Sequence, residues 1–231
     1  MRKQRCLMTS YLCCAFGAAN ASAQLAQQPA DKYIDAMNRL ERGIEEKIPE
    51  VIEKLRLKPG DIVADIGSGS GTFSIPMAKA IAPNGILYAV DIDQKMLDYV
   101  ADRAKKEGVT NMRTALGIYD DPKLPVKDVD VAFFHRVLHM IEHRQLYLNA
   151  TAPYLKPDGR IVIIDKNPEQ SRDWMWLKQS DVDTWTAAIG FYPAEKFDVF
   201  QDRYFVSYQR PYGNSVLLKH TEKKDSTKQQ Q

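Results

Sequence analysis

The run Asp61-Ile-Val-Ala-Asp65-Ile-Gly67-Ser-Gly69-Ser-Gly71-Thr72 constrains the fold more than any other part of the chain. Ile62, Val63, Ala64 and Ile66 make a short apolar run, as expected of a strand covered on both faces within a parallel sheet. Glycines at three alternate positions follow and remove every Cβ that would hold a ligand away from the backbone. Pro76 is tolerated only in the first turn of a helix, so a helix must open between Thr72 and Ser74. Strand, glycine-rich turn and helix in that order open a βαβ unit.

Spacing and charge narrow what could bind at the turn. The dinucleotide fingerprint G-x-G-x-x-G needs a third glycine where Thr72 stands, and has no use for an acid two residues before the first glycine. The pattern here is D-x-G-x-G-x-G, from Asp65 to Gly71. A carboxylate at Asp65 would repel a pyrophosphate and would suit a ligand bearing an ammonium and a sulfonium. The stretch resembles motif I of the class I S-adenosylmethionine-dependent methyltransferases. That resemblance implies S-adenosylmethionine as cofactor, with Asp65, Gly67, Gly69 and Gly71 among the residues that bind it.

The pattern continues downstream. Pro83-Asn-Gly85 reads as a turn, and Ile86 to Val90 as a second buried strand ending in Asp91, 20 residues beyond Gly71. That is the distance at which an acid meets ribose hydroxyls in nucleotide-binding βαβ units, so Asp91, with Ile92 beside it, is a cofactor-binding candidate. Asp93 suits the N-cap of a helix whose apolar face is Met96, Leu97, Val100 and Ala104, with Gly108 as the stop. Asn111 to Leu116 is a weaker third strand. Members of the family resembled here place an acid just after it, beside the adenine. In this chain Gly117 and Ile118 come first, which leaves Asp120 or Asp121 as the adenine contact, or Ile118 packed on the ring.

Val129 to Phe134 reads as a fourth strand leading into His135-Arg-Val-Leu-His139-Met-Ile141. The Val-Leu-His-Met-Ile run resembles the family's segment near the transferred methyl group. Open α/β sheets bind ligands at the carboxyl ends of their strands, so His139 first and His135 second are candidate catalytic bases. A helix from about Arg144 to Tyr154, the turn Lys156-Pro-Asp-Gly159 and a fifth strand, Ile161 to Ile164 ending in Asp165, come next. Lys-Pro-x-Gly before that strand is a further likeness to the family. Beyond Asp165 the resemblance fades. Trp174 and Trp176 mark a surface or lid segment. Ser180 with Asp183 reads as a capping arrangement for a helix burying Val182, Trp185 and Ile189 and ending at Gly190. Phe197 to Phe200 and Tyr204 to Tyr208 read as a closing antiparallel pair.

The first 23 residues have a basic start, an apolar middle of about 14 residues and Ala21-Ser-Ala23, the pattern of a signal peptide cut before Gln24. The apolar part is short for a membrane span. The expectation is export to the periplasm or exterior, with a cytoplasmic chain as the alternative. Loss of Arg2, Lys3 and Arg5 takes the formal charge from +2 to −1, which offers no electrostatic case for nucleic acid. All three cysteines, Cys6, Cys13 and Cys14, leave with the same segment, so no thiolate site or nucleophile remains. The four histidines lack metal-ligand spacing, and no metal is expected.

Amphipathic helices are expected over Asp31 to Glu46 and Glu50 to Leu55, and a polar tail over 221–231. Residues 24–220 then form one α/β domain. The alternation of strands and helices argues for a doubly wound, mostly parallel sheet; the resemblance implies the seven-stranded, Rossmann-like methyltransferase form with N-terminal helices. The expected activity is in-line methyl transfer to a small molecule. The alternative is a non-catalytic protein of the cell envelope that binds an adenosyl nucleoside.

Overall fold

The computed structural model describes Ile34, residues 44–170 and residues 176–211. The expected signal peptide, most of the helix expected from Asp31, Trp174 and the polar tail lie outside these residues. Ile34 is helical and buried, and Ile44 is buried ahead of a short 3₁₀ turn at Glu45–Lys47.

Seven strands form one sheet: β1 (Ile62–Ile66), β2 (Ile86–Asp91), β3 (Met112–Leu116), β4 (Val129–His135), β5 (Leu155–Lys166), β6 (Tyr192–Lys196) and β7 (Arg203–Gln209). Their order across the sheet is β3-β2-β1-β4-β5-β7-β6, and only β7 runs against its neighbours. The chain reverses direction across the sheet between β3 and β4, which leaves β1 and β4 adjacent with connections leaving on opposite sides. That switch point is where an open α/β sheet holds its ligand.

Two apolar layers sandwich the sheet. One face packs Val63, Val131, Phe133, Val162 and Ile164 against helices α1 (Ile48–Leu55), α2 (Ser74–Ala80) and α3 (Gln94–Lys106). The other packs Ala64, Ile66, Phe134, Ile161 and Ile163 against α4 (Arg144–Thr151) and α5 (Gln179–Ala187). Alternate residues of each central strand serve opposite layers, so the middles of β1 and β4 are apolar on both faces, Val63-Ala64 and Val131 to Phe134. In α1, Val51 and Leu55 supply the buried stripe, about 1.5–3 kcal/mol each by burial. At the amino edge Asp130 ties three strands together: it accepts Ile62 N–H of β1 at 2.8 Å and Lys156 Nζ of β5 at 2.8 and 2.9 Å.

Four expectations need correction. Lys156 to Gly159 is not a turn before β5 but an excursion inside it: Val129 pairs with Leu155 and Val131 with Arg160, so the extra residues bulge outward. The helix after Trp176 starts at Gln179 with no side-chain cap; Asp183 instead accepts the Tyr208 hydroxyl at 2.7 Å. Of its three expected core residues only Val182 is fully buried, while Trp185 and Ile189 pack partly against the layer. The partner of β7 is Tyr192–Lys196, not Phe197 to Phe200. Its polar sequence and Pro193 hide it, because an edge strand faces water and tolerates a missing N–H at a bulge. Phe197 and Val199 form a loop that seals the apolar layer.

Candidate functional site

At the carboxyl end of β1 the chain turns through Gly67, Gly69 and Gly71, all with positive φ, at 68°, 51° and 81°. Space as well as conformation demands glycine at two of them. A Cβ on Gly67 would lie 2.3 Å from Val137 Cγ2, and one on Gly71 would lie 2.3 Å from Val100 Cγ2. The loop is tied on both sides: Ser68 N–H donates to Val90 O at 2.9 Å, and Arg103 of α3 donates to Ser70 O at 3.1 Å. Asp65 is nearly inaccessible and accepts the Ser74 hydroxyl, which pins the end of β1 to the first turn of α2. Asp65 therefore braces the loop from inside. The Ser68 hydroxyl is buried and has no hydrogen-bond partner among the described residues.

Asp91 closes the neighbouring strand. Its Oδ2 accepts Gly69 N–H at 3.1 Å and its Oδ1 accepts Asp93 N–H at 3.1 Å, so the carboxylate is fixed against the glycine loop. Each oxygen keeps a further lone pair for a hydroxyl. Burial pushes the Asp91 carboxyl above its ordinary value, ahead of the opposing backbone hydrogen bonds. Beyond it, Ile92 and Ile118 expose their apolar side chains to solvent. Asp121 sits in a small turn, where Ile118 and Asp121 bridge, and its carboxylate accepts Lys123 N–H at 2.7 Å, the Tyr154 hydroxyl at 3.0 Å and the Lys123 ammonium at 3.0 Å. Asp121 is thereby committed to its own loop, whereas Asp120 is half-buried at the turn's tip.

The two histidines part company on opposite faces of the sheet. His135 is the last residue of β4, facing the layer of α1 to α3. Its ring packs edge-on against Phe73, with centroids 4.7 Å apart, and alongside Phe133. Burial first, then the Arg136 and Arg203 cations, hold its imidazole well below the ordinary value, so it stays neutral near neutrality. His139 lies on the 3₁₀ turn Leu138–Met140, with its side chain 5% exposed. Its Nδ1 is 3.0 and 3.2 Å from the two oxygens of Asp165, a residue with no exposure at all. Asp165 accepts the hydrogen bond from Nδ1–H, which leaves Nε2 as the atom with the free lone pair. Arg144 clamps the turn by donating to Leu138 O at 3.2 Å and His139 O at 2.9 Å.

Three residues at this end were not singled out by sequence as site residues: Asp165, Trp176 and Arg203. Asp165 could have been found, since it repeats the signal that marks Asp91, an acid directly after a buried apolar strand. Trp176 lies against the His139 ring, with centroids 4.4 Å apart, and its indole is almost wholly covered.

Comparison with known proteins agrees with this geometry. A family model described as a methyltransferase domain matches residues 57–223. The chain is 30% identical over 172 residues to the ubiquinone/menaquinone biosynthesis C-methyltransferase UbiE of Burkholderia mallei, covering 73% of this chain and 68% of that protein. A relative of the same name from Cupriavidus metallidurans is 30% identical over 157 residues, and the match spans 65% of this chain and 60% of that protein. Among solved structures, a SAM-dependent methyltransferase from Aquifex aeolicus superposes with a TM-score of 0.71 at 21% identity, over 80% of this chain and all of that one. The [4+2]-cyclase SpnF has the same fold, with a TM-score of 0.63 at 14% identity, covering 73% of this chain and 81% of that one. The fold alone therefore does not fix the reaction.

Proposed function

The chain belongs to the S-adenosylmethionine-dependent methyltransferases, and from that premise we propose that it methylates a small-molecule acceptor whose reacting atom lies against His139 Nε2. The observation that carries this reading is the His139 Nδ1 to Asp165 hydrogen bond, made on a buried turn at the same sheet edge as the glycine loop. Gly67, Gly69 and Gly71 form the cradle, and the orphaned Ser68 hydroxyl and the spare lone pairs of Asp91 fit a polar, hydroxyl-bearing ligand. Asp91 would hold the ribose, Ile92 and Ile118 would cover the adenine faces, and Asp120 would approach its amino group. Bound there, S-adenosylmethionine supplies an electrophilic methyl whose transfer leaves the bonding electron pair on sulfur. The chain's own contribution is orientation, exclusion of water, and a base for the proton the acceptor gives up. Asp165 holds the imidazole in the tautomer that accepts that proton at Nε2 and stabilises the imidazolium that results.

His135 takes no proton in this scheme, because burial and its cationic neighbours keep it neutral. Labelled-methyl transfer to fractionated small-molecule extracts tests the reading. Transfer that the wild type performs and His139→Gln loses supports it; wild-type S-adenosylmethionine binding without transfer to any fraction favours the non-catalytic alternative.

We further propose that the mature chain begins at Gln24 outside the cytoplasm. Amino-terminal sequencing of protein from its native host checks this, and an intact Met1 would contradict it. No helix among the described residues is long and apolar enough to cross a membrane.

A further inference from the structure

Resting on the methyl-transfer reading, we propose that the acceptor is a planar, aromatic-type acid whose carboxylate is held by Lys166 and Arg203 beside Trp176. Two observations carry this. The first is a group of buried donors that the described chain does not satisfy. Trp176 Nε1 and Arg203 Nη1 are both buried without a hydrogen-bond partner among the described residues, and so is His135 Nε2, whose imidazole feels the Arg203 charge. Indole and guanidinium nitrogens only donate, so nothing but an acceptor can complete them. Buried donors are normally paired, and two orphans linked through one neighbour, Lys166, which lies over Trp176 and pairs in register with Arg203, point to a missing group.

The second is charge. Lys166 and Arg203 are direct partners across β5 and β7, at the carboxyl end of β5. The Lys166 ammonium lies 5.1 Å from the centre of the Trp176 ring, and the Arg136 guanidinium carbon lies 5.7 Å from it. Asp165, the nearest buried carboxylate, is turned to the other face and engaged by His139. Asp202 binds only Nε of Arg203, at 3.1 Å, and is itself half in solvent. Asp202 offsets one of the three cations Lys166, Arg136 and Arg203, which leaves a corner of net positive sign that suits an anion such as a carboxylate. Burial first, and then the Arg136 and Arg203 cations, depress the basicity of His135.

The indole joins this cationic corner to the base. The Trp176 ring lies 5.1 Å from the Lys166 ammonium and 4.4 Å, centroid to centroid, from the His139 ring, so one indole bridges the gap between the cationic corner and the imidazole. A flat acid with its methyl-accepting hydroxyl or carbon at the far end spans that gap. The carboxylate thereby sets the register of the acceptor against the transferred methyl.

Isothermal titration of the chain with benzoate and with the neutral isostere benzamide, each with and without S-adenosylhomocysteine, tests the site. Benzoate is expected to bind at least about 10-fold more tightly than benzamide. Arg203→Gln and Lys166→Gln, each checked for an unchanged circular dichroism spectrum, should each remove most of that preference while S-adenosylhomocysteine affinity stays within about twofold. Two substitutions on different strands keep the test alive if one fails to fold. Equal binding of the two probes, or no benzoate binding, overturns the proposal. The benzoate to benzamide ratio decides it even without cofactor, whereas failure of S-adenosylhomocysteine to bind would strike the methyl-transfer reading itself.

Discussion

The carboxyl edge of the sheet has two ends built from different material. Around β1 and β2 the site is mostly backbone: three glycines, a strand-end carboxylate and N–H groups, with each position dictated by conformation or by a 2.3 Å approach. Around β4, β5 and β7 it is side chain: a buried histidine on a buried aspartate, an indole, and cations brought together from strands far apart in sequence. On the proposed reading, the first end recognises what every member of a reaction class shares. The second can change its acceptor by exchanging single residues while leaving the fold intact.

The sharpest way to break the comparison is to put a side chain into the backbone end. Gly67→Ala should cost about 2–4 kcal/mol of unfolding free energy, because it combines a left-handed conformation with a clash against β-branched Val137. Urea titration measures this, and a cost under about 0.5 kcal/mol would mean the loop has room to spare.

On the side-chain end, His139→Gln should lower turnover about 10²-fold or more and leave S-adenosylhomocysteine affinity unchanged. Asp165→Asn should lower turnover too, by freeing the imidazole to adopt the other tautomer. If either variant loses cofactor affinity in step with turnover, the two ends are not separable. An acid limb in the pH–rate profile that persists in His139→Gln would remove the imidazole from the mechanism.

Asp91→Ala should weaken S-adenosylhomocysteine binding by about 1.5–3 kcal/mol. The same carboxyl makes a pH prediction for the ligand-free protein. Its folded value is raised by burial, so the folded chain retains a proton that the unfolded chain releases. Stability from this group is full below the ordinary carboxylate value of about 3.9 and declines as pH rises from there through the raised folded value. Urea midpoints measured across that range should show a fall in the wild type that Asp91→Asn abolishes; identical slopes would contradict the assignment.

The smallest effect separates neighbours. Asp121→Ala, which removes a largely solvent-screened ion pair, should change stability by under about 1 kcal/mol and cofactor affinity hardly at all. Asp120→Ala should weaken binding by about 0.5–1.5 kcal/mol if it meets the adenine. The opposite order in titration would return the contact to Asp121.

The same division explains what could be read from the chain. Asp65 to Gly71, Asp91 and the five parallel strands through Asp165 were legible because backbone geometry leaves local marks: a glycine where φ is positive, an apolar run where both faces are covered. Strand β6 was not, since Tyr192-Pro-Ala-Glu-Lys196 borders water and its pairing with β7 is a tertiary fact. Nor were the contacts of Trp176 with His139 and Lys166, which depend on how a 3₁₀ turn, the end of β5 and the segment before α5 meet. Asp65 was legible in position, whereas the Ser74 hydroxyl on its Oδ2 is a tertiary contact of which spacing says nothing. In sequence His139 ranks ahead of His135 only by its place in the Val-Leu-His-Met-Ile run; the alternation of β4 and the partner on β5 are what set them apart physically.

The central claim, that the glycine loop and Asp91 form an adenosyl-donor site, is tested most directly by calorimetric titration of the chain with S-adenosylhomocysteine and, separately, NAD. Saturable binding of S-adenosylhomocysteine at one site per chain is expected, lost or sharply weakened in Asp91→Ala, with no binding of NAD. Binding of NAD in preference, or S-adenosylhomocysteine affinity untouched by Asp91→Ala in a folded protein, would contradict it.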